Sequence, residues 1–172
     1  MTAAPRGAGR GSEVGIEVGV EVGVEVGVEP RAARRTVVDA DGRAKAYRPL
    51  PATERATAVI DGLRAYAAGD FFEAHELMEP AWMGTDDPAE RDLISGLIKV
   101  AAADVHGVRG NPRGVERNLE GARDRLRRAG EGYVIPDVRV DVAGLLDAID
   151  RRLAELVAGR PTDPLTINWS SR

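Results

Sequence analysis

The fold that we predict is decided by residues 87–108, DPAERDLISGLIKVAAADVHGV. Apolar residues recur in this stretch at the three- and four-residue spacing of an α-helix, and they extend around most of the helical circumference. A helix that is apolar on nearly all sides usually packs at the centre of a protein. Asp87 suits the N-cap and Pro88 the first helical position, and we expect the helix to end near Val108.

Four amphipathic helices are predicted around this central helix. Their starts are marked by residues whose side chains can cap a helix N-terminus: Thr53, Asp70, Asn111 and Asp141. The ends of three of them, and that of the central helix, are marked by glycines, which suit the residue after a helix: Gly69, Gly84, Gly110 and Gly159. The sequence therefore predicts an all-α fold, a compact bundle of about five helices that occupies residues 53–159.

Three segments lie outside the predicted bundle. Residues 1–30 form a low-complexity tail of Val, Gly and Glu, in which apolar residues alternate with a period of two. That period also fits a β-ribbon or a self-associating segment, but the glycines and the repelling glutamates favour a disordered tail. Residues 31–52 are predicted to be a basic linker, with a turn at DADG (39–42), and residues 160–172 a C-terminal tail.

Composition excludes several classes of protein. The formal net charge of −4 and the pI of about 5.3 give no reason to expect a nucleic-acid partner. No apolar run approaches the roughly 20 residues of a membrane span. The chain has no cysteine, which excludes disulfides and thiolate metal sites. The N-terminal residues lack the apolar region of a secretory signal, so we expect a cytoplasmic protein.

Residues 71–82, FFEAHELMEPAW, place polar side chains within an apolar pattern. On a helical wheel, four apolar side chains lie within about 60° of His75: Phe71, Phe72, Met78 and Trp82. Glu79 lies one turn beyond His75 on the same side. We therefore predict that His75 and Glu79 face the core, where a carboxylate is unfavourable unless it is paired or bound to a metal.

The second histidine, His106, lies near the end of the central helix and can face a neighbouring helix. Histidines and carboxylates from facing helices are ligands for a divalent Zn, Fe or Mn ion, so the predicted metal ligands are His75, Glu79 and His106. The alternative is a buried His/Glu hydrogen-bond network without a metal. The segment HELME does not decide between them, because it departs from the H-E-x-x-H pattern at Glu79.

Three blocks of the sequence resemble the family called domain of unknown function 309. They are F-x-A-H-E-x-x-E-x-x-W, then P-x-E-R, then G-L-I-x-x-A-A-A-x-x-H-x-x-R-G-N, and the resemblance covers about residues 55–130. The matching residues are Phe72, Ala74, His75, Glu76, Glu79, Trp82, Glu90, Arg91, Gly96, Leu97, His106, Arg109, Gly110 and Asn111.

The resemblance implies a small all-helical fold and no established activity beyond the label of a predicted metal-dependent hydrolase. Carried over to this sequence, that label points to four residues: His75, Glu76, Glu79 and His106. Pro80 departs from the family pattern and predicts a kink, because proline inside a helix removes a hydrogen bond. Asp104 also departs from it, and is expected either to bind the metal or to meet water.

These residues support two main functions, and the sequence does not decide whether the protein is an enzyme. In a metal-dependent hydrolase, Glu76 would act as the general base on a metal-activated water. In a non-enzymatic binding module, the His/Glu network would stabilise the core. Trp82, Arg109 and Asn111 would then contribute to a binding surface. A third hypothesis is self-association through residues 1–30, which would give a homo-oligomer.

Overall fold

The computed structural model describes residues 36–38 and 44–171. Within these residues the all-α class is confirmed, with five helices and two short β-ribbons. The bounds are β1 Thr36–Val38, β2 Ala44–Ala46, α1 Ala52–Ala67, α2 Phe71–Gly84, α3 Pro88–Val108, α4 Pro112–Ala129, β3 Val138–Val140, α5 Val142–Val157 and β4 Trp169–Ser171. The predicted tail at residues 1–30 and the predicted turn at 39–42 lie outside the described residues.

Side-chain caps fix the starts of four helices. The carboxylate or amide oxygen of each N-cap accepts the N–H three residues later, at Asp70, Asp87, Asn111 and Asp141. Each cap satisfies one of the amides that a helix N-terminus leaves unpaired. The prediction for α1 was wrong, because α1 begins at Ala52 after Pro51 and Thr53 lies inside its first turn.

Helix α3 forms the centre of the core, as its pattern predicted, and packs against α2 and α4. Its fully buried apolar residues are Leu93, Ile94, Leu97, Val100, Ala101 and Ala103. Each buried leucine or isoleucine contributes about 1.5–3 kcal/mol. Gly96 permits the close approach of α4, since a Cβ atom there would lie 2.7 Å from Leu126 side-chain carbons. No described helix has both the length and the apolar character of a membrane span.

Helix α2 continues through Pro80, which lies on its exposed side. The carbonyl of Glu76 loses its usual amide partner there, because proline has no N–H. The C-terminus of α2 is completed by the segment before α1, where the amides of Arg48 and Leu50 donate to the carbonyls of Met83 and Gly84, each over 3.1 Å. The range predicted as a linker therefore includes an ordered segment, as well as the antiparallel pair β1–β2.

The C-terminal residues form a strand that the sequence did not predict, and they dock through the three apolar residues that the sequence offered for docking, Leu165, Ile167 and Trp169. Strand β4 pairs antiparallel with β3, within a stretch expected to be a loop, and places Trp169 opposite Val140 and Ser170 opposite Arg139. Leu165 and Ile167 are half-buried against the core, as is Trp169. This docking holds the C-terminal segment beside the start of α5.

Candidate functional site

Helix α2 turns a different side to the core from the one that we predicted. Its buried stripe consists of Ala74, Met78, Ala81 and Trp82. This stripe is centred about 75° from His75 on the helical wheel. His75 and Glu79 are half-buried at its border, and Phe72 is 59% exposed. The prediction that His75 and Glu79 point into the core was therefore wrong.

The packing of α1 against α2 explains this rotation. A Cβ atom at Gly62 of α1 would collide with the Met78 side chain and lie 3.1 Å from the carbonyl oxygen of Ala74. The two helices therefore approach each other through small residues, and the closest packing selects the alanine side of α2. The aromatic residues near His75 on the helical wheel led to the prediction that this side of α2 is buried. The side that is buried is instead determined by the shape complementarity of α1 and α2.

His75 and Glu76 form a pair at the surface of α2. Nδ1 of His75 lies 3.0 Å from Oε1 of Glu76, and the two side chains are 32% and 49% exposed. An ionised carboxylate can only accept a hydrogen bond, so Nδ1 carries the proton in this contact. Nε2 of the neutral imidazole then keeps its lone pair. His75 can therefore accept a proton, or bind a ligand, through Nε2.

His106 has the opposite arrangement at the turn between α3 and α4. Oδ1 of Asn111 accepts the N–H of Gly114 at 3.0 Å, and this cap fixes the orientation of the amide. Nδ2 of Asn111 therefore faces Nδ1 of His106, at 3.1 Å. An amide nitrogen only donates, so Nδ1 accepts and the neutral imidazole carries its proton on Nε2. His106, which is half-buried, thus carries a hydrogen-bond donor at Nε2.

The structure does not gather the predicted metal ligands into one centre. Among the residues that it describes, no group of three or more His, Cys, Asp or Glu side chains could hold a metal ion. His75, Glu79 and His106 are all described, so they do not form such a group. The side-chain contacts that the structure gives the two histidines are local, to Glu76 in one case and Asn111 in the other.

The three predicted binding residues occupy different environments. Trp82 is 4% exposed in the core, which leaves almost none of its indole for a ligand. Arg109 is exposed at the C-terminal end of α3. Asn111 is exposed as well, but its side chain is engaged by His106 and Gly114. Of the three, Arg109 and Asn111 therefore belong to one surface, the turn between α3 and α4.

Glu90 forms a buried polar network that the sequence did not reveal. Both of its carboxylate oxygens bind Arg55 of α1, at 2.6 and 3.0 Å. Thr85 donates to Glu90 at 3.1 Å, and the hydroxyl of Tyr133 lies 3.4 Å away. Burial and the nearby Glu90 carboxylate raise the pKa of Tyr133. The sequence indicated Glu90 only through its spacing, three residues after the cap Asp87. That spacing did not identify Arg55 as its ion-pair partner.

Asp104 belongs to a second buried network and neither binds a metal nor meets water. Nη1 of Arg152 donates to its Oδ1 over 2.5 Å, and the hydroxyl of Tyr66 contacts its Oδ2 over 2.5 Å. Burial and the Asp104 carboxylate raise the pKa of Tyr66. The same hydroxyl lies 2.9 Å from the carbonyl of Leu165, and Nε of Arg152 donates to Thr162. The network thus joins three helices to the C-terminal segment.

The arginines of α4 form ion pairs with the neighbouring helices. Arg125 and Arg128 bind Asp92 of α3 at 2.7 and 3.0 Å. Two further arginines bind Asp150 of α5 at 3.1 and 3.3 Å: Arg123 and Arg127. Burial works to raise the pKa of Asp92, but the hydrogen bonds from Arg128 and Arg125 outweigh it and lower that pKa. The arginines of α4 therefore form an ion-paired face whose partners lie on α3 and α5.

Comparison with known proteins agrees with the resemblance carried by the three sequence blocks. Residues 59–118 match the family model described as Domain of unknown function (DUF309). This segment begins within α1, includes all three blocks and ends in α4, so it contains both histidines. No curated protein and no solved structure matches the chain. The predicted resemblance to this family is confirmed over residues 59–118.

Proposed function

We propose that this protein is a non-enzymatic binding module, and that the turn between α3 and α4 binds a ligand with an anionic oxygen group, such as a carboxylate or a phosphate. The observation that carries the proposal is the hydrogen bond from the Asn111 amide to Nδ1 of His106. It leaves Nε2–H of His106 as a donor. Ring N–H groups of this kind pair with carboxylate and phosphate oxygens.

The charges around His106 support an anionic ligand. Arg109 follows His106 by three residues, a spacing that places two side chains on the same side of a helix. Its exposed guanidinium makes no ion pair within the part of the chain that the structure describes. Helix α4 starts just beyond, with no acidic residue in its first turn, so the positive end of its dipole is not neutralised there.

The buried carboxylates support a structural role for the acidic side chains of the core. Glu90 is held by Arg55, and Asp104 by Arg152. A carboxylate with an arginine partner is stabilised in its charged form and has its oxygens occupied. Glu90 and Asp104 therefore act as connections between helices, which leaves the exposed turn as the surface for a ligand.

A metal-dependent hydrolase is the second candidate. The His75–Glu76 pair favours it, because a carboxylate at one ring nitrogen commonly orients a histidine that binds a metal through the other. The remaining donors do not fit a metal centre. Glu79 and His106 do not join His75 in a group that could hold a metal ion. Glu76 contacts the Nδ1 side of the histidine and is best explained as its hydrogen-bond partner.

The anion proposal is tested by titrating the ¹⁵N-labelled protein with inorganic phosphate and, separately, with acetate. We expect saturable shifts of the amides of residues 106–114. In Arg109→Gln the affinity for both anions should fall about tenfold, as expected when one charge-assisted hydrogen bond is lost. Arg151→Gln, which removes an exposed arginine from α5, is the matched control and should bind like the unmodified chain. Equal affinity in Arg109→Gln, or no shifts at the turn, would refute the proposal.

Elemental analysis distinguishes the second candidate. The binding-module proposal predicts no stoichiometric Zn, Fe or Mn in protein that was purified without chelators. It also predicts that His75→Ala leaves the metal content unchanged. One metal ion per chain that is lost in His75→Ala would support the hydrolase instead, whatever the outcome of the anion titration.

A further inference from the structure

A cavity of about 570 Å³ lies against the C-terminal ribbon β3–β4. Its walls come from the loop after α4, from β3 and the first residues of α5, and from the residues around the start of β4. Pockets for small ligands usually have volumes of about 300–1,000 Å³. All of its lining residues lie beyond residue 118, so none belongs to the segment that matches the DUF309 model or to the turn between α3 and α4. The cavity is therefore a feature that neither the family match nor the proposed function covers.

Four polar residues that line this cavity lie on one face of the ribbon. Arg139 lies opposite Ser170 in the pairing of β3 with β4. The amide of Asp141 continues this pairing and donates to the carbonyl of Asn168 at 2.9 Å. Residues two apart in a strand point to the same side, so Arg139 and Asp141 share a face with Ser170 and Asn168. We call this side of the ribbon its polar face.

The burial of the ribbon agrees with this assignment. The four residues of the polar face are all exposed. The residues that alternate with them turn inward, since Val138 and Val140 are buried and Ile167 and Trp169 are half-buried. The polar face is therefore the side of the ribbon that is open to a ligand, and it does not include the Trp169 ring.

The cavity carries charges of both signs. Arg139 is exposed and forms no ion pair within the part of the chain that the structure describes. Asp141 caps α5 through Oδ1, which accepts the N–H of Gly144 at 3.0 Å, and its Oδ2 makes no hydrogen bond to the described residues. Glu131, in the loop after α4, adds a second exposed carboxylate to the lining. The cavity therefore offers a guanidinium to a carboxylate and carboxylate oxygens to an ammonium group.

This combination of charges favours a zwitterionic ligand. A simple anion at Arg139 would be repelled by two carboxylates, and a simple cation at Asp141 would be repelled by the guanidinium. A zwitterion meets an opposite charge at each end. Two residues along a strand span about 7 Å, so a small zwitterion that lies between Arg139 and Asp141 can contact both side chains.

We propose that this cavity binds a free α-amino acid on the polar face of the ribbon, with its carboxylate on Arg139 and its ammonium group on Oδ2 of Asp141. Ser170 and Asn168 lie on the same face and supply neutral donors and acceptors beside these charges. The ligand differs from that of the turn between α3 and α4, which needs only an anionic oxygen group.

The test is an NMR titration of the full-length ¹⁵N-labelled protein with L-alanine, and with N-acetyl-L-alanine and L-alaninamide as matched probes. N-acetyl-L-alanine lacks the ammonium group and L-alaninamide lacks the carboxylate, so each probe keeps one half of the interaction. We expect L-alanine to shift the amides of residues 139–141 and 168–170. It should bind about tenfold more tightly than either probe, because each probe loses one charge-assisted hydrogen bond.

Two variants assign the two ends of the ligand. Arg139→Gln should weaken the binding of L-alanine about tenfold and leave that of L-alaninamide unchanged. Asp141→Asn removes the charge but keeps the cap of α5, because asparagine caps helices about as well as aspartate. It should also weaken the binding of L-alanine about tenfold. Arg151→Gln, which removes an exposed arginine that does not line the cavity, is the matched control and should bind L-alanine like the unmodified chain.

Three results would overturn the proposal. They are the absence of shifts at the ribbon in saturating L-alanine, an affinity for L-alanine that is unchanged in Arg139→Gln, and an affinity for either probe as high as that for L-alanine. Because the shifts are read at residues 139–141 and 168–170, none of these outcomes depends on whether an anion binds near His106.

Discussion

Asn111 donates from Nδ2 to Nδ1 of His106 over 3.1 Å, while its Oδ1 caps α4 through the N–H of Gly114. One side chain thus defines the start of a helix and the position of a proton on a histidine. His75 differs, because its Nδ1 faces the carboxylate of Glu76. The two histidines of the chain therefore differ at Nε2, which is a donor in His106 and an acceptor in His75.

Substitutions of Asn111 separate the cap from the hydrogen bond to His106. Asn111→Asp keeps an oxygen for the N–H of Gly114, and aspartate caps helices about as well as asparagine. We expect its free energy of unfolding to stay within about 0.5 kcal/mol of the unmodified value. Asn111→Ala should lose about 1 kcal/mol. Urea denaturation measures both, and equal losses in the two variants would contradict the role of Asn111 as a cap.

Gly114→Ala is expected to displace the His106 ring. A Cβ atom at Gly114 would lie 2.5 Å from Cγ and Nδ1 of His106 and 2.7 Å from Nδ2 of Asn111. Relieving this overlap should cost about 1–3 kcal/mol of unfolding free energy. The control is Gly107→Ala, whose Cβ atom would make ordinary contacts at 3.6 Å with Arg152 and 3.8 Å with Val115. This control should be neutral or should stabilise α3 by up to about 1 kcal/mol, and equal effects in the two variants would contradict the packing.

The buried Asp104–Arg152 pair predicts a large asymmetry between single and double substitutions. Arg152→Met leaves a buried carboxylate without its cation, which should cost about 3–5 kcal/mol in urea denaturation. Adding Asp104→Leu should recover most of this loss, because an apolar pair of similar volume can replace a buried ion pair. Arg151→Met, at the exposed neighbouring position, should change the stability by less than about 0.5 kcal/mol. A double variant as unstable as Arg152→Met alone would show that the pair is not the cause.

Asp92 predicts a pH-dependent contribution to stability. Its folded-state pKa is lowered below the ordinary value of 3.8, because the hydrogen bonds from Arg128 and Arg125 outweigh the effect of burial. Because the pKa is lowered, the carboxylate stabilises the fold fully when the pH is above the ordinary pKa. This contribution is lost as the pH falls through the folded-state pKa. The difference in unfolding free energy between the unmodified chain and Asp92→Asn should therefore be constant from neutral pH to about pH 4 and should shrink only in stronger acid.

The control for this titration is Asp147→Asn, at an exposed position on α5. Its difference from the unmodified chain should be small throughout. A difference for Asp92→Asn that is already absent at neutral pH would contradict the ion pairs between α3 and α4.

The sequence predicted features that depend on neighbouring residues and missed those that depend on distant ones. The capping residues at Asp70, Asp87, Asn111 and Asp141 were predictable, because each acts on an amide three residues away. The central position of α3 followed from its apolar circumference. The pairs Arg55–Glu90 and Asp104–Arg152 join residues 35 and 48 positions apart, and no local spacing identifies such partners.

The orientation of α2 could not be predicted from its own sequence for a different reason. The polar residues of its motif were found, but their direction depended on the close approach of Gly62 to Ala74, which is a property of two helices together. Strands β3 and β4 have three residues each, too few for a period of two to be recognised. Their pairing had no signal in the sequence.

The most direct test of this account is a long-range ¹H–¹⁵N correlation spectrum that reports which ring nitrogen of each imidazole carries the proton. His75→Gln assigns the signals, because the chain has only two histidines. The account predicts that His106 carries its proton on Nε2 and that His75 carries its proton on Nδ1. It also predicts that Asn111→Asp moves the proton of His106 to Nδ1. A proton on Nδ1 of His106 in the unmodified chain would contradict the donor on which the proposed anion site depends.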